Sequence, residues 1–188
     1  MRTDIKKDRK DLYLPGRADF TEVDVPAMTY LAIDGHGDPN TSPAYAAAIQ
    51  ALYTGAYAIR AALKKRTGDD FVVGSLEGLW TSADSSAFVA RDKSEWDWTM
   101  MIPLPDAVSS QDVAEGLHQA ARRKPELPIG ELRELRLVEG RSLQILHVGT
   151  YDDEAPTLAR LHDEVMPGLG LTWNGPHHEI YLSDPRRV

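Results

Sequence analysis

The side chains with the clearest potential for chemistry lie near the carboxyl end, in the sequence His-His-Glu-Ile-Tyr-Leu-Ser-Asp-Pro-Arg-Arg at residues 177–187. The apolar residues at its centre favour a strand, in which successive side chains point to opposite faces. Glu179 and Tyr181 therefore share one face. The opposite and mostly apolar face, expected to be buried, carries His178, Ile180 and Leu182. A carboxylate beside a phenol can move protons or bind a polar ligand, although these residues alone favour an ordinary solvent-facing surface.

A second carboxylate enters through an internal repeat. Each copy consists of a strand, a Gly-x-x-Asp turn, a helix and a further strand that contains a glutamate. The copies comprise residues 21–33, Gly35, Asp38 and Glu77 in the first half, and residues 142–148, Gly149, Asp152 and Glu179 in the second. Glycine permits a sharp exit from a strand and aspartate can begin a helix. The match is short enough for coincidence, but it predicts two related halves about a pseudo-twofold axis, with Glu77 and Glu179 approaching each other or a shared cleft.

The first half is expected to position its glutamate with a long helix. A strand over residues 21–33, bent at Pro26, precedes it. Ser42 followed by a proline is typical of a helix start, and Gly68 of a helix end. The apolar stripe between these ends consists of Tyr45, Ile49, Leu52, Ala56, Ile59 and Leu63. Tyr53 lies at the edge of the stripe, where it borders either the core or a ligand.

Two further strands are predicted in this half, over residues 70–80 and 95–103, joined by a polar loop. Gly74 and Gly78 in the first indicate a bulge or a close approach to the backbone. Trp98 and Met100 alternate with polar residues in the second, which is typical of a core and equally of a large apolar pocket.

The second half is preceded by a predicted helix over residues 110–123. Strands near 132–138 and 142–149 flank a predicted hairpin turn at residues 139–140. A helix over 153–166 leads to the final strand. Residues 1–20 are expected to be an extended or irregular leader, and residues 21–188 a single domain of two repeats, about 21–103 and 130–188.

The composition limits the classes of function. The 188 residues include no cysteine and carry a formal net charge of −8, which disfavours nucleic acid as a partner and excludes disulfides and thiolate metal sites. Neither a secretion signal nor a membrane-spanning run is present, so a cytoplasmic protein is expected. His177 and His178 point apart on a strand and make a poor metal pair, so no metal site is predicted. The phosphate-loop, dinucleotide and nucleophile-elbow motifs are absent.

Several segments together resemble the GyrI-like small-molecule-binding family over essentially the whole chain. They are residues 32–40, 51–53, 56–57, 76–80, 98–101 and 177–187. The resemblance implies an α+β fold of tandem β-α-β-β units with a central ligand cleft. Stand-alone members resemble hydrolases that open the strained cyclopropane of DNA-alkylating natural products, without a cofactor or metal. Effector domains of transcription regulators are also related, but they carry a helix-turn-helix for which this chain is too short.

The resemblance implies roles for particular residues. Glu179 matches a carboxylate that activates water, with Tyr181 beside it. The residues that match the wall of an aromatic cleft are Tyr53, Glu77, Trp80, Trp98 and Met100. A buried carboxylate between aromatic rings is expected to have a raised pKa. Strict alternation places Trp80 and Glu77 on opposite faces unless Gly78 bulges the strand. The alternative is passive binding of aromatic or cationic drugs without turnover; the expected partner is in either case a small organic molecule, and no protein partner is indicated.

Overall fold

A five-stranded antiparallel sheet forms the centre of the protein. The computed structural model describes residues 2–82, 93–149 and 151–183. The strands of the chain are β1 Arg2–Thr3, β2 Thr21–Val25, β3 Met28–His36, β4 Asp70–Phe71, β5 Glu77–Ser82, β6 Trp96–Leu104, β7 Arg133–Leu137, β8 Gly140–Gln144 and β9 His177–Ile180. In the central sheet they lie in the order β7-β3-β6-β5-β9, so β9 is an edge strand. This mixture of helices with antiparallel sheets confirms the predicted α+β class.

Two helices cover one face of this sheet. They are α3, Pro43–Thr67, and α4, Ser110–Arg123. The ends of α3 are those that the sequence predicts, because the Ser42 side chain accepts a hydrogen bond from the Tyr45 amide and Gly68 adopts φ 80°. Beneath α3 lies the main apolar core, which includes Trp80, Trp98, Met100 and Ile102. The helix stripe and the tryptophans of β6 therefore pack against each other.

The N-terminal segment covers part of the opposite face, which contradicts the prediction of an irregular leader. Short helices α1, Ile5–Asp8, and α2, Lys10–Tyr13, follow β1. Ile5, Leu12 and Tyr13 are buried, and they pack against Ile180 and Leu182. The apolar face predicted for the final strand is thus partly buried, and the N-terminal segment packs against it.

The predicted hairpin at residues 139–140 is wrong. β7 pairs with β3 and β8 pairs with β2, both antiparallel, and β2 with β8 forms a separate two-stranded sheet. The chain bends at Pro26 between β2 and β3, and near Gly140, which adopts φ 66°, between β7 and β8. The same two stretches of chain therefore pair with each other in both sheets. The predicted strand over residues 21–33, bent at Pro26, is therefore found as the two strands β2 and β3. The pseudo-twofold axis stays a prediction.

The remaining predictions differ in detail. The strand expected over residues 70–80 is divided into β4 and β5, and most of the predicted loop, residues 83–92, lies outside the described residues. The helix expected over 153–166 is a succession of a 3₁₀ turn at Tyr151–Glu154, α5 Ala155–Arg160, a π-helical turn at Leu161–Val165 and α6 Met166–Gly168. Among helices of the described segments, none combines the length and apolar character needed to cross a bilayer.

Candidate active site

The pairing of β9 with β5 determines which side chains meet at the candidate site. Gly78 is opposite Glu179, and Trp80 is opposite His177. Directly opposed residues of antiparallel strands present their side chains on the same face. Glu179 therefore lies on the face of Trp80, which is also the face that α3 covers. The prediction that Glu179 and Tyr181 share a face is confirmed, because their side chains are hydrogen-bonded to each other.

A directed chain of hydrogen bonds ends on the Glu179 carboxylate. The indole nitrogen of Trp80 donates to the hydroxyl oxygen of Tyr181 over 3.2 Å. The Tyr181 hydroxyl in turn donates to Oε2 of Glu179 over 2.5 Å. Nε2 of His177 lies 3.5 Å from Oε1 of the same carboxylate, a buried electrostatic contact without the geometry of a hydrogen bond. One carboxylate oxygen is thus held by a phenol, and the other faces an imidazole.

These contacts lower the pKa of Glu179, which corrects the expectation of a raised value. Burial is the largest single influence and raises the pKa, because it disfavours the charged form. The contact with His177, the hydrogen bond from Tyr181 and the neighbouring indole N–H of Trp80 together outweigh burial. Glu179 is consequently ionised at neutral pH, and its side chain is 18% exposed, so it can accept a proton from a bound molecule.

Gly78 permits this arrangement by the absence of a side chain. A Cβ at this position would lie 2.9 Å from the indole nitrogen of Trp80, 3.1 Å from the sulfur of Met100 and 3.2 Å from the Tyr181 hydroxyl. The close approach predicted from this glycine is confirmed. The bulge is not found, because β5 pairs residue by residue with β6 from Glu77 to Ser82.

A cavity of about 1030 Å³ is lined in part by Glu179. It lies between β8, β9 and the segment that runs from Glu154 to Pro176. Its walls are largely apolar, with Leu146, Leu158 and Trp173 among them. Binding sites for organic ligands typically have volumes of about 300–1,000 Å³, so this cavity is large enough for a polycyclic molecule.

The structure corrects the predicted position of Glu77. This residue is fully buried on the opposite face of the sheet from Glu179. Its Oε1 accepts a hydrogen bond from Tyr13 over 2.7 Å, and its Oε2 lies 3.0 Å from Nε2 of His178. The two carboxylates do not share a cleft, because an unbulged β5 directs Glu77 away from Gly78 and Trp80.

The other predicted wall residues lie behind the site. Tyr53, Trp80, Trp98 and Met100 belong to or pack against the core beneath α3, and none of them borders the 1030 Å³ cavity. Met100 is fully buried and Trp98 is 3% exposed. Trp98 and Met100, predicted to face a cleft, do not face this cavity, because α3 covers the face of β6 on which they lie. Trp80 contacts the site through Tyr181.

Glu154 is a site residue that sequence reasoning missed. Donor atoms of Glu154, His177 and Glu179 lie within 4.8 Å of one another, although no spacing motif connects a helical turn with a distant strand. Among the described residues, this is the cluster that comes closest to the arrangement of a cation site. Ligand atoms around tetrahedral zinc lie about 3.4 Å apart, and Oε2 of Glu179 already accepts from Tyr181, so we assign them no metal. His177 and His178 do point apart, as predicted.

Comparison with known proteins places the fold. The family model of the GyrI-like small-molecule-binding domain matches residues 18–188. A crystal structure of an uncharacterised conserved protein from Listeria innocua is 35% identical, with a TM-score of 0.88 over 99% of this chain and 93% of that one. Two structures described as hydrolases from the same organism are 33% and 32% identical, with TM-scores of 0.87 and 0.81. They cover 100% and 97% of this chain, and 93% and 94% of their own. Among curated proteins no match is found.

Proposed function

The chain belongs to the GyrI-like small-molecule-binding family, and from this premise we propose that it hydrolyses activated cyclopropanes of DNA-alkylating natural products, using water activated by Glu179. The observation that carries the proposal is the ionised Glu179 carboxylate at the border of a large, mainly apolar cavity. The hydrolase description of two structural neighbours supports the reaction class.

The proposed reaction adds one water to the substrate. Glu179 accepts a proton from water as the water oxygen bonds to a ring carbon. The ring carbon–carbon bond breaks, and its electron pair moves into the conjugated carbonyl to give an oxyanion. Glu179 then returns the proton to this oxyanion, directly or through water, so that atoms and charges balance. A positioned carboxylate base contributes about 10²–10⁴-fold to such a step.

Tyr181 is proposed to orient the base. Its hydroxyl hydrogen points to Oε2 of Glu179, and the indole of Trp80 donates to the phenol oxygen from behind. Oε1, which lies 3.5 Å from Nε2 of His177, is the oxygen proposed to receive a proton from bound water. Trp98, Met100 and Tyr53 support this arrangement through the packed core and do not contact the ligand in this cavity.

The deciding experiment is incubation of the purified protein with a cyclopropane-bearing alkylator, followed by mass spectrometry for a product heavier by one water. Glu179→Gln retains the shape of the side chain but cannot accept the proton, so turnover is expected to fall by about 10²-fold or more with little change in affinity. Glu131→Gln, at an exposed position, is the matched control. Turnover at the wild-type rate in Glu179→Gln would exclude this residue as the base.

The second candidate function is sequestration of aromatic cations. It is favoured by the second carboxylate, Glu154, at the border of the same apolar cavity. A carboxylate pair among apolar walls attracts a cationic ring system without any chemistry. This alternative predicts no product from the wild-type protein, together with weaker binding of cationic but not neutral ligands in Glu179→Gln.

A further inference from the structure

On the other face of the sheet from the candidate base, four polar side chains form a largely buried network, two members of which, His178 and Glu139, also border the cavity. The network consists of Tyr13, Glu77, His178 and Glu139. The Tyr13 hydroxyl donates to Oε1 of Glu77 over 2.7 Å. The His178 imidazole lies between two carboxylates, with Nε2 3.0 Å from Glu77 and Nδ1 3.0 Å from Glu139. Both ring nitrogens thus face carboxylate oxygens, an arrangement that suits an imidazolium.

The network joins four separate parts of the chain. Tyr13 is on α2, Glu77 is on β5, His178 is on β9, and Glu139 is in the connection between β7 and β8. Glu77 is fully buried, and the side chains of His178 and Glu139 are 14% and 19% exposed. Removing one member would leave a buried charge without its partner, which is strongly unfavourable. The four parts are therefore held in one relative arrangement.

The strand that carries Glu179 depends on such a restraint. β9 has four residues, all half-buried, and among the strands of the described residues it pairs with β5 alone. A clear difference between a buried and an exposed face normally fixes the register of a strand, and a slip by one residue reverses every side chain. His177, His178 and Glu179 place polar side chains on both faces, so within β9 only the half-buried Ile180, which packs against the N-terminal segment, distinguishes the two registers by apolar burial. A slipped β9 would direct Glu179 away from Tyr181 and Trp80.

We propose that the buried network fixes the register of β9 and so makes Glu77 and His178 positioning residues for Glu179. The catalytic consequence rests on the proposed function, whereas the structural consequence does not. The N-terminal segment takes part through Tyr13, although the family match begins only at residue 18. The best-attested use of buried polar groups in proteins is this specification of register, rather than stability.

Two variants separate specification from stability. His178→Gln removes the charge at the centre of the network, and exposed His118→Gln is its control. The triple variant Tyr13→Phe/Glu77→Met/His178→Leu replaces the three most deeply buried polar groups with apolar ones of similar size, which restores stability in other proteins. Glu139, the most exposed member at 19%, keeps its access to solvent. The measurements are urea unfolding, amide hydrogen exchange of residues 176–183 with β6 as internal reference, and kcat and KM for the cyclopropane substrate.

In His178→Gln we expect exchange in residues 176–183 to accelerate by about tenfold or more relative to β6, with kcat lowered by a similar factor and KM little changed. The triple variant is expected to regain stability without regaining slow exchange or kcat. If the triple variant shows the exchange rates and kcat of the wild type, the network contributes only stability and the proposal is overturned. If His178→Gln does not fold, the triple variant decides alone. If the wild-type protein has no turnover, the proposed function fails, and the exchange measurement still tests the register.

Discussion

Because His178 is an imidazolium in the folded protein, we expect the protein to lose stability between pH 7 and pH 9 as this proton is lost. Burial is the largest single influence on this residue and lowers its pKa, but hydrogen bonds and charges from Glu139 and Glu77 outweigh burial and raise the pKa to about 9. These two carboxylates face His178, and the ring centre of Tyr30 lies 6.5 Å from that of His178. Tyr13 contacts the network through its hydrogen bond to Glu77. Both tyrosines have pKa values raised above 10, chiefly by burial, and stay neutral in this pH range.

The magnitude follows from linkage. A histidine whose pKa is raised in the folded state stabilises the protein fully below its unfolded pKa, and this contribution is lost as the pH rises through the folded pKa. A rise from 6.5 to about 9 corresponds to about 3 kcal/mol in all, of which about 2 kcal/mol is lost between pH 7 and pH 9. The range begins at pH 7, above the ordinary pKa of histidine, and the pKa of His162 is lowered further below that value, mainly by burial.

Urea unfolding at half-unit steps across this range measures the effect. In the wild-type protein the free energy of unfolding should decrease with pH, at no more than about 1.4 kcal/mol per unit from this single proton. His178→Gln should be less stable at pH 7 and should show a flatter profile. His118→Gln, at an exposed position, should keep the wild-type slope. Parallel profiles for wild type and His178→Gln would refute a charged His178 in the folded protein.

Three further outcomes are expected. Gly78→Ala should reduce turnover strongly while retaining the fold, because its Cβ would lie 2.9 Å from the Trp80 indole nitrogen and 3.2 Å from the Tyr181 hydroxyl. Kinetic measurements of turnover, with circular dichroism as the check of the fold, test this prediction, and full turnover would contradict it. Trp98→Ala should lower the free energy of unfolding in urea by about 3–5 kcal/mol, since a core residue 3% exposed is removed; unchanged stability contradicts its burial. Asp112→Asn should cost about 3 kcal/mol in the same assay, because Asp112 pairs with Arg66 through bonds of 2.7 and 2.6 Å and completes the capping box of α4 by accepting from the Ser109 amide. Exposed Asp106→Asn is the control, and equal losses in both would contradict the pairing.

The sequence by itself determined the features that depend on neighbouring residues. The ends of α3 follow from Ser42 and Gly68, whose capping conformations are local. The common face of Glu179 and Tyr181 follows from the twofold period of a strand. Gly78 indicated a close approach to the backbone, and this is where the Tyr181 hydroxyl lies. Segments spread over most of the chain were also sufficient to indicate the family.

Only the tertiary structure decided how these local elements combine. The face on which Glu77 lies depended on whether β5 is bulged. The order of the strands depended on pairings such as that of β7 with β3, because hydrogen bonds between distant strands are not encoded in the periodicity of either strand. The lowered pKa of Glu179 required the positions of His177 and Tyr181, since burial alone predicts the opposite direction. The partnership of Tyr13 with Glu77 joins residues 64 positions apart, and a polar side chain in a short N-terminal helix carries no local sign of its partner. Composition and periodicity thus determine which side chains share a face, whereas long-range pairing determines which faces meet.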